Sequence, residues 1–355
     1  MTLLKVALWT ALFWLLLCVP TLVLWAPQTA GTPIHLAKPD YIDASPSLFV
    51  GQIQETVFEL ARKCPLPPRQ RLIVLGASGS RGFDARALRA AMGVEEAINV
   101  SVVLSNFTQI RQVFADLRAC LGEEGARRSA FVLVPALGSF VADSRRWSGP
   151  YTDYETEKLR SGLFAGAPGH VQPRVPVPTL RLLVSLSRPL LLLRKTRLTL
   201  TRQWRVLRGV EHEYDPAVPL LDHEQSLQMI TGLQPELATS GPYAPEQTAA
   251  LEALIDDIRA SGAGLAVVDQ PAQRWLRETG PAFGAAHRAL MSVVARKGVP
   301  YLDLSATGTD AEFRDPMHAN ALGSPAWTQR LAEGLIRLHA TNPRVFGSVT
   351  PGAFP

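Results

Sequence analysis

Two blocks of the chain carry residue types that could work together chemically. The first is Gly76-Ala77-Ser78-Gly79-Ser80, which follows the apolar run Arg71-Leu72-Ile73-Val74-Leu75. A serine just past a buried strand opens into the crevice where α/β proteins bind ligands. Its small neighbours let a substrate carbonyl approach backbone N–H groups. Alone, such a turn can equally bind phosphate or cap a helix. The second block is Phe313-Arg314-Asp315-Pro316-Met317-His318-Ala319-Asn320. A neutral imidazole can take a proton from a serine hydroxyl, while a carboxylate fixes its tautomer and stabilises the imidazolium. Alone, Asp315 and His318 describe a surface turn with a capping aspartate. Together the blocks spell nucleophile, base and orienting carboxylate, the set used in acyl-ester chemistry. Ser80 is a second hydroxyl in the first block, but a helix starting near Arg81 turns it away.

These blocks need a frame to bring them together. Leu48 to Lys63 has apolar residues at helical spacing, and the Pro65–Pro68 cluster ends it. Strands are expected at 71–75, 97–103, 130–135, 264–269 and 301–304, with helices through Ala91 and over 107–121, 245–261 and 282–297. Strands alternating with helices predict an α/β fold, a three-layer α/β/α arrangement around a parallel sheet. The working domain is expected over 48–340, after a linker at 31–47 and before a flexible tail at 341–355.

Residues 150–240 break the rhythm and read as an insertion. From Lys158 to Arg208 there are eleven Lys or Arg and no Asp or Glu, so the remainder of the chain is net acidic although the whole carries +5. Over Leu180–Leu207 the arginines interleave with leucine and valine. A nucleic-acid binder usually spreads basic charge over a folded face with aromatics, so nucleic acid is not expected. A basic amphipathic segment lying on an anionic membrane is one reading; a helix with its leucines on the domain and its arginines in water is the other.

The N-terminus points the same way. Val6 to Ala26 carries no charge, and about 20 apolar residues suffice to cross a bilayer. Lys5 precedes the run and the next basic residue is Lys38, which places the N-terminus in the cytoplasm and the rest outside. Residues 1–30 are therefore expected to be an uncleaved anchor, with the helix at about 6–26. No C-x-x-C pair or H-E-x-x-H motif is present, so neither metal nor cofactor is expected. Cys64 and Cys120 each fall shortly before an expected strand, and an oxidising compartment would permit a disulfide between them; two unpaired thiols remain the alternative.

The pairing of a Ser block after the first strand with a closing Asp-x-x-His block resembles the SGNH/GDSL hydrolase superfamily. The resemblance covers Arg71 to about Leu121 and Pro242 to about Leu338. Within it, Tyr243-Ala-Pro-Glu, Gly264-Leu-Ala-Val-Val-Asp-Gln-Pro271 and Gly298-Val-Pro-Tyr-Leu-Asp303 look like the membrane-tethered branch, which includes teichoic-acid D-alanyl transfer and alginate-type O-acetylation proteins. The resemblance implies a flavodoxin-like sheet, Ser78 as nucleophile, His318 as base and Asp315 as its orienting carboxylate. Ala77 stands where the superfamily usually has Asp, and Val134-Pro-Ala-Leu-Gly-Ser139 lacks the Gly-x-Asn-Asp block that supplies an oxyanion donor. The oxyanion hole is then expected from the N–H groups of Ser78 and Gly79, with Asn106 or Asn99 as a further donor. Arg81 and Arg314 flank the site and could steer an anionic substrate.

The expectation is a single-pass protein of a bacterial cytoplasmic membrane with its domain on the periplasmic side. It would pass an acyl group, acetyl foremost, to a cell-envelope or secreted polysaccharide, alongside a membrane-embedded acyltransferase or polysaccharide synthase. An O-acetyl esterase and a non-catalytic scaffold of a synthesis complex are the alternatives.

Overall fold

A strand buried at every position has to be covered on both faces, as are Arg71–Ala77 (β1) and Ser129–Val134 (β3). In a computed structural model of the chain they lie inside a five-stranded, all-parallel sheet. Glu96–Val102 (β2), Gly264–Asp269 (β4) and Tyr301–Asp303 (β5) complete it, in the order β2-β1-β3-β4-β5. The structure describes residues 2–24, 53–102, 105–143, 149–186, 245–279, 281–320 and 322–347, together with Trp147, Trp204, Arg208, Glu224 and Val349. The strand order is flavodoxin-like, with its topological switch between β1 and β3.

Side chains alternate across the sheet. Ile73, Leu75, Phe131 and Leu133 pack into one apolar layer, under the helices Ile53–Lys63 (α2), Phe107–Arg127 (α4), Pro245–Ala260 (α6) and Pro281–Lys297 (α8). Leu72, Val74, Val132 and Val268 face the other layer, which holds Ala85–Met92 (α3) and Gly323–Thr341 (α9). This is the three-layer α/β/α arrangement. Asp84 starts α3 by accepting from the N–H groups of Arg86 and Ala87 at 2.7 and 3.2 Å, and Gly93 ends it in the left-handed region at φ 62°.

Cys64 and Cys120 are joined by a disulfide that ties the end of α2 to α4. The first part of the insertion also belongs to the domain. Asp153–Arg160 (α5) buries Tyr154 completely, and its phenol donates to Asp116 on α4 at 2.7 Å. Lys158 pairs with the same carboxylate. A helix over 177–186 seats Leu180 and Val184 in the core and leaves Leu182 and Leu186 exposed. The basic stretch expected to meet lipid lies almost wholly beyond it, outside the described residues.

The flexible tail expected over 341–355 is corrected only where it is described, at 341–347 and 349; 348 and 350–355 lie outside the described residues. The chain continues past 341 into a 3-10 turn, Pro343–Phe346, with Val345, Phe346 and Val349 buried against the α9 side of the sheet. A β-carbon on Gly264 would run into the Phe346 backbone, at 2.6 Å from its Cα. Glycine at the start of β4 thus makes room for a segment that has no helical or strand period to announce it.

At the other end, Thr2–Leu24 (α1) is helical, and its described side chains, Leu4 to Leu16, are mostly exposed. Among the described residues no helix is long and apolar enough to cross a membrane.

The disulfide closes a separation of 56 residues, and a cross-link of that span contributes about 4 kcal/mol by restricting the unfolded chain. Cys120→Ser should therefore lower the urea midpoint substantially, and reductant should do the same to the wild type. A midpoint insensitive to both would show that the cross-link does not hold the folded chain.

Candidate active site

The block that holds Ser78, the expected nucleophile, is built where β1 ends. The chain leaves the sheet at Ala77 and enters a 3-10 turn, Ser78–Gly82. That turn buries carbonyl groups that need donors, and β2 supplies them. Asn99, wholly buried, donates to the carbonyls of Ser80 and Phe83 at 2.9 and 2.7 Å. Its own carbonyl accepts from Ser101, and Ser80 Oγ bonds Ser101 Oγ at 2.6 Å and the Ala77 carbonyl at 2.7 Å. Ser80 is therefore a structural pin with no exposed surface, whereas Ser78 is half-buried at the mouth of the turn. Of the two hydroxyls, Ser78 is the one a substrate can reach.

His318, the expected base, sits on a hairpin. Phe313–Asp315 (β6) and His318–Ala319 (β7) form a two-stranded antiparallel ribbon around Pro316-Met317. Asp315 Oδ1 accepts from the N–H groups of Met317 and His318 at 3.0 and 3.1 Å, which fixes the carboxylate. His318 Nδ1 lies 2.7 and 2.9 Å from its two oxygens. With Nδ1–H donating to the carboxylate, Nε2 carries the free lone pair, the tautomer a general base needs.

The hairpin is itself braced. Asn320 donates to the Ala311 carbonyl at 2.6 Å and accepts from the N–H groups of Leu322 and Gly323. Glu312 behind it is clamped by Arg330 at 2.6 and 2.7 Å and by the Trp327 indole at 3.1 Å. Burial raises the Glu312 pKa, but the Arg330 hydrogen bonds and charge outweigh it and hold the carboxyl below its ordinary value.

Contacts from the hairpin, from α9 and from the end of β4 hold the turn. β7 packs directly on the 3-10 turn, where a β-carbon on Gly82 would sit 3.1 Å from Ala319 Cβ and from the Trp327 ring. Ser324, at the start of α9, donates to the Gly82 carbonyl at 2.8 Å. Gln270, just past β4, donates to the Met317 carbonyl at 3.2 Å while its amide lies against Gly79, where any β-carbon would collide with it. Ser78, Asp315 and His318 thus share one end of the sheet. Among the described residues Ser78 Oγ makes no side-chain hydrogen bond, with His318 or any other group.

The remaining expected site residues are placed as follows. Gly79 is buried in the turn and Arg81 half-buried. Arg314 lies on β6, its side chain outside those described. Asn106 is corrected. Its carbonyl caps α4 by accepting from Gln109 N–H at 3.2 Å, and its NH₂ donates to the Val141 carbonyl and to Asp143 at 3.1 and 2.8 Å. Both of its N–H groups are spent on the fold, and those of Asn99 likewise, so neither can serve an oxyanion. The N–H groups that open the 3-10 turn at Ser78 and Gly79 remain as candidates.

Sequence reading missed a second acid–imidazole pair at the same end of the sheet. Asp269, the last residue of β4, receives His287 of α8, with Nδ1 to Oδ2 at 2.9 Å. Burial pushes the Asp269 carboxyl up, and its hydrogen bond with His287 works against that rise. The Asp269 hydrogen bond holds His287 above its usual value, with burial opposing. Tyr301 is raised by burial and by the nearby Asp269 and Asp303 charges. An Asp ending an expected strand was the only visible sign, because the two partners sit on separate elements.

Asp269→Asn removes the carboxylate that favours the imidazolium. The His287 titration midpoint, followed by NMR, should then fall. An unchanged midpoint would mean that the pair is not formed.

Comparisons with known proteins add little to this geometry. No protein-family model matches the chain, and no curated protein matches it. Among solved structures it is similar to a provisionally named acylhydrolase of Bacteroides fragilis NCTC 9343, at 9% identity and a TM-score of 0.37, over 79% of this chain and 91% of that one.

Proposed function

We propose that this chain is a serine acyltransferase of the SGNH type, tethered to the outer face of a bacterial cytoplasmic membrane and acting on a polysaccharide hydroxyl. The observation that carries the reading is the Asp315–His318 pair, joined through Nδ1 and packed against the strand-end turn that holds Ser78. The SGNH-like order of the two blocks, serine after the first strand and Asp-x-x-His near the end, supports it.

In the proposed cycle Ser78 Oγ attacks the donor ester carbonyl as His318 Nε2 takes its proton. Collapse of the tetrahedral intermediate breaks the bond to the leaving alcohol, which receives that proton. Ser78 is left as an ester. An acceptor hydroxyl then gives its proton to His318 and attacks the acyl carbon, and the proton returns to Ser78 Oγ. Asp315 stabilises the imidazolium in both halves. The developing oxyanion relies on the Ser78 and Gly79 N–H groups. Losing one donor typically costs about 10²–10³ in rate, so turnover is expected to be slow.

Tethering and export are supported by the uncharged run in α1 behind Lys5, and by a disulfide that an oxidising compartment would maintain. The basic stretch after residue 186 suits an anionic lipid surface or a membrane-embedded partner. Acetyl is the expected acyl group. Water in place of the acceptor hydroxyl makes the same site an esterase, and the loss of Asn106 as an oxyanion donor favours a non-catalytic scaffold as the second reading.

The test is acetate release from an aryl acetate by the full-length chain. Wild-type release should fall by about 10³-fold or more in Ser78→Ala and in His318→Ala, and less in Asp315→Asn. Equal release by all four proteins, or none by the wild type from pH 6 to 9, would sink the catalytic reading in favour of the scaffold.

A further inference from the structure

Between the end of β4 and α8 lies a group of charges that the proposed acyl cycle does not use, yet it joins the site through the chain. Asp269, the last residue of β4, is only 7% exposed, and His287 Nδ1 of α8 lies 2.9 Å from its Oδ2. The next residue, Gln270, donates to the Met317 carbonyl at 3.2 Å while its amide rests on Gly79. The acid–imidazole pair is therefore the immediate neighbour of the side chain that touches both the Ser78 turn and the His318 hairpin.

These charges balance only while His287 keeps its second proton. Asp303 is the register partner of Asp269 on β5, so two carboxylates stand at neighbouring strand ends. Tyr301 places its phenol 3.5 Å from Asp269 Oδ2, and burial with the two carboxylates keeps that phenol protonated. From the β3 side, Pro135, Ala136, Leu137 and Phe140 bring no charge. Among the described residues, the charges acting on His287 are those of Asp269 and Asp303, and its imidazolium is the cation that faces Asp269. Phe283 stacks on the imidazole with planes 8° apart and keeps the ring in place.

Deprotonation leaves the Nδ1 hydrogen bond but removes the charge. A buried carboxylate beside a second carboxylate is then left without a cation, which is far costlier in the interior than in water. The Asp269 hydrogen bond holds His287 above its ordinary 6.5, so the contribution of the pair is complete below that value. It is lost as pH rises through the midpoint of the folded chain. Burial holds Asp269 above its ordinary value, which weakens the junction in the same direction. We propose that His287 is a positioning residue: its imidazolium fixes Asp269 at the end of β4, Gln270 thereby holds the Ser78 turn against the His318 hairpin, and loss of the His287 proton loosens that hold. The inference rests on the acyl-transfer reading for its effect on rate. The site then needs His318 neutral and His287 charged, so reactivity rises with pH and falls again.

The experiment measures how fast a fluorophosphonate labels the full-length protein between about pH 5 and 10. The wild-type rate should fall about tenfold on the alkaline side, the worth of a charge-assisted hydrogen bond. His287→Gln, which can still donate to Asp269, should lack that fall and stay about tenfold below the wild-type maximum. A wild-type rate that never falls, or a fall unchanged in His287→Gln, would overturn the proposal. In parallel, the ¹³C-labelled methyl of Met317, which lines the hollow beside Asp269 and Gln270, is followed by NMR over the same range. In the wild type it should show a midpoint matching that of the His287 imidazole, and in His287→Gln that midpoint should be gone. No such midpoint, or the same titration in both proteins, would overturn the proposal. If the wild type is not labelled at any pH, the serine reading fails, while the Met317 titration still decides the positioning.

Discussion

The site depends on a buried hydrogen-bond network between two strands. β1 ends in a turn whose carbonyls cannot reach water, and Asn99 on β2 supplies both of the N–H groups they need. Ser80 and Ser101 close the network around it. Because every member lies at zero exposure, losing one would leave its partner unsatisfied in a low-dielectric interior. The network sets the direction in which the turn leaves the sheet, and so which hydroxyl is left at its mouth. Ser80 is consumed in building the turn, and Ser78 is presented by it.

Everything else at this end of the sheet is arranged around that turn. The hairpin carrying His318 packs on it through Ala319 and is braced from behind by Glu312, Trp327 and Arg330. Gln270 reaches from β4 across Gly79 to the Met317 carbonyl, so it touches both halves of the site at once. Three strand ends and one hairpin thus converge, as the crevice of a doubly wound sheet allows. No single element carries the chemistry, and each is held by contacts that the others provide.

The sheet was legible because strands covered on both faces read as near-continuous apolar runs. Continuous apolar runs at 71–75, 130–135 and 264–269 could only be covered strands, and their boundaries shift by at most two residues. The Asp315–His318 pair was legible for a related reason: its partners are three residues apart, so local geometry alone brings them together. Asn106 was misassigned because its chemistry was read before its position. An Asn one residue before a helix is a capping signature, and the structure uses it so, with Asn106 accepting from the Gln109 N–H. The Asp269–His287 pair and the packed segment after residue 341 were not legible, because each depends on contacts between elements distant in sequence. Gly264 shows the cost of reading locally. It looks like a weak strand residue until Phe346 is seen lying against it.

The central claim is that Ser78, and no neighbouring hydroxyl, is the nucleophile activated by His318. The most direct test is to expose the full-length protein to a serine-reactive fluorophosphonate and locate the adduct by peptide mass spectrometry. The structure predicts a single adduct on Ser78, formed more slowly in His318→Ala. An adduct on Ser80 or elsewhere, or labelling of Ser78 at a rate indifferent to His318, would contradict it.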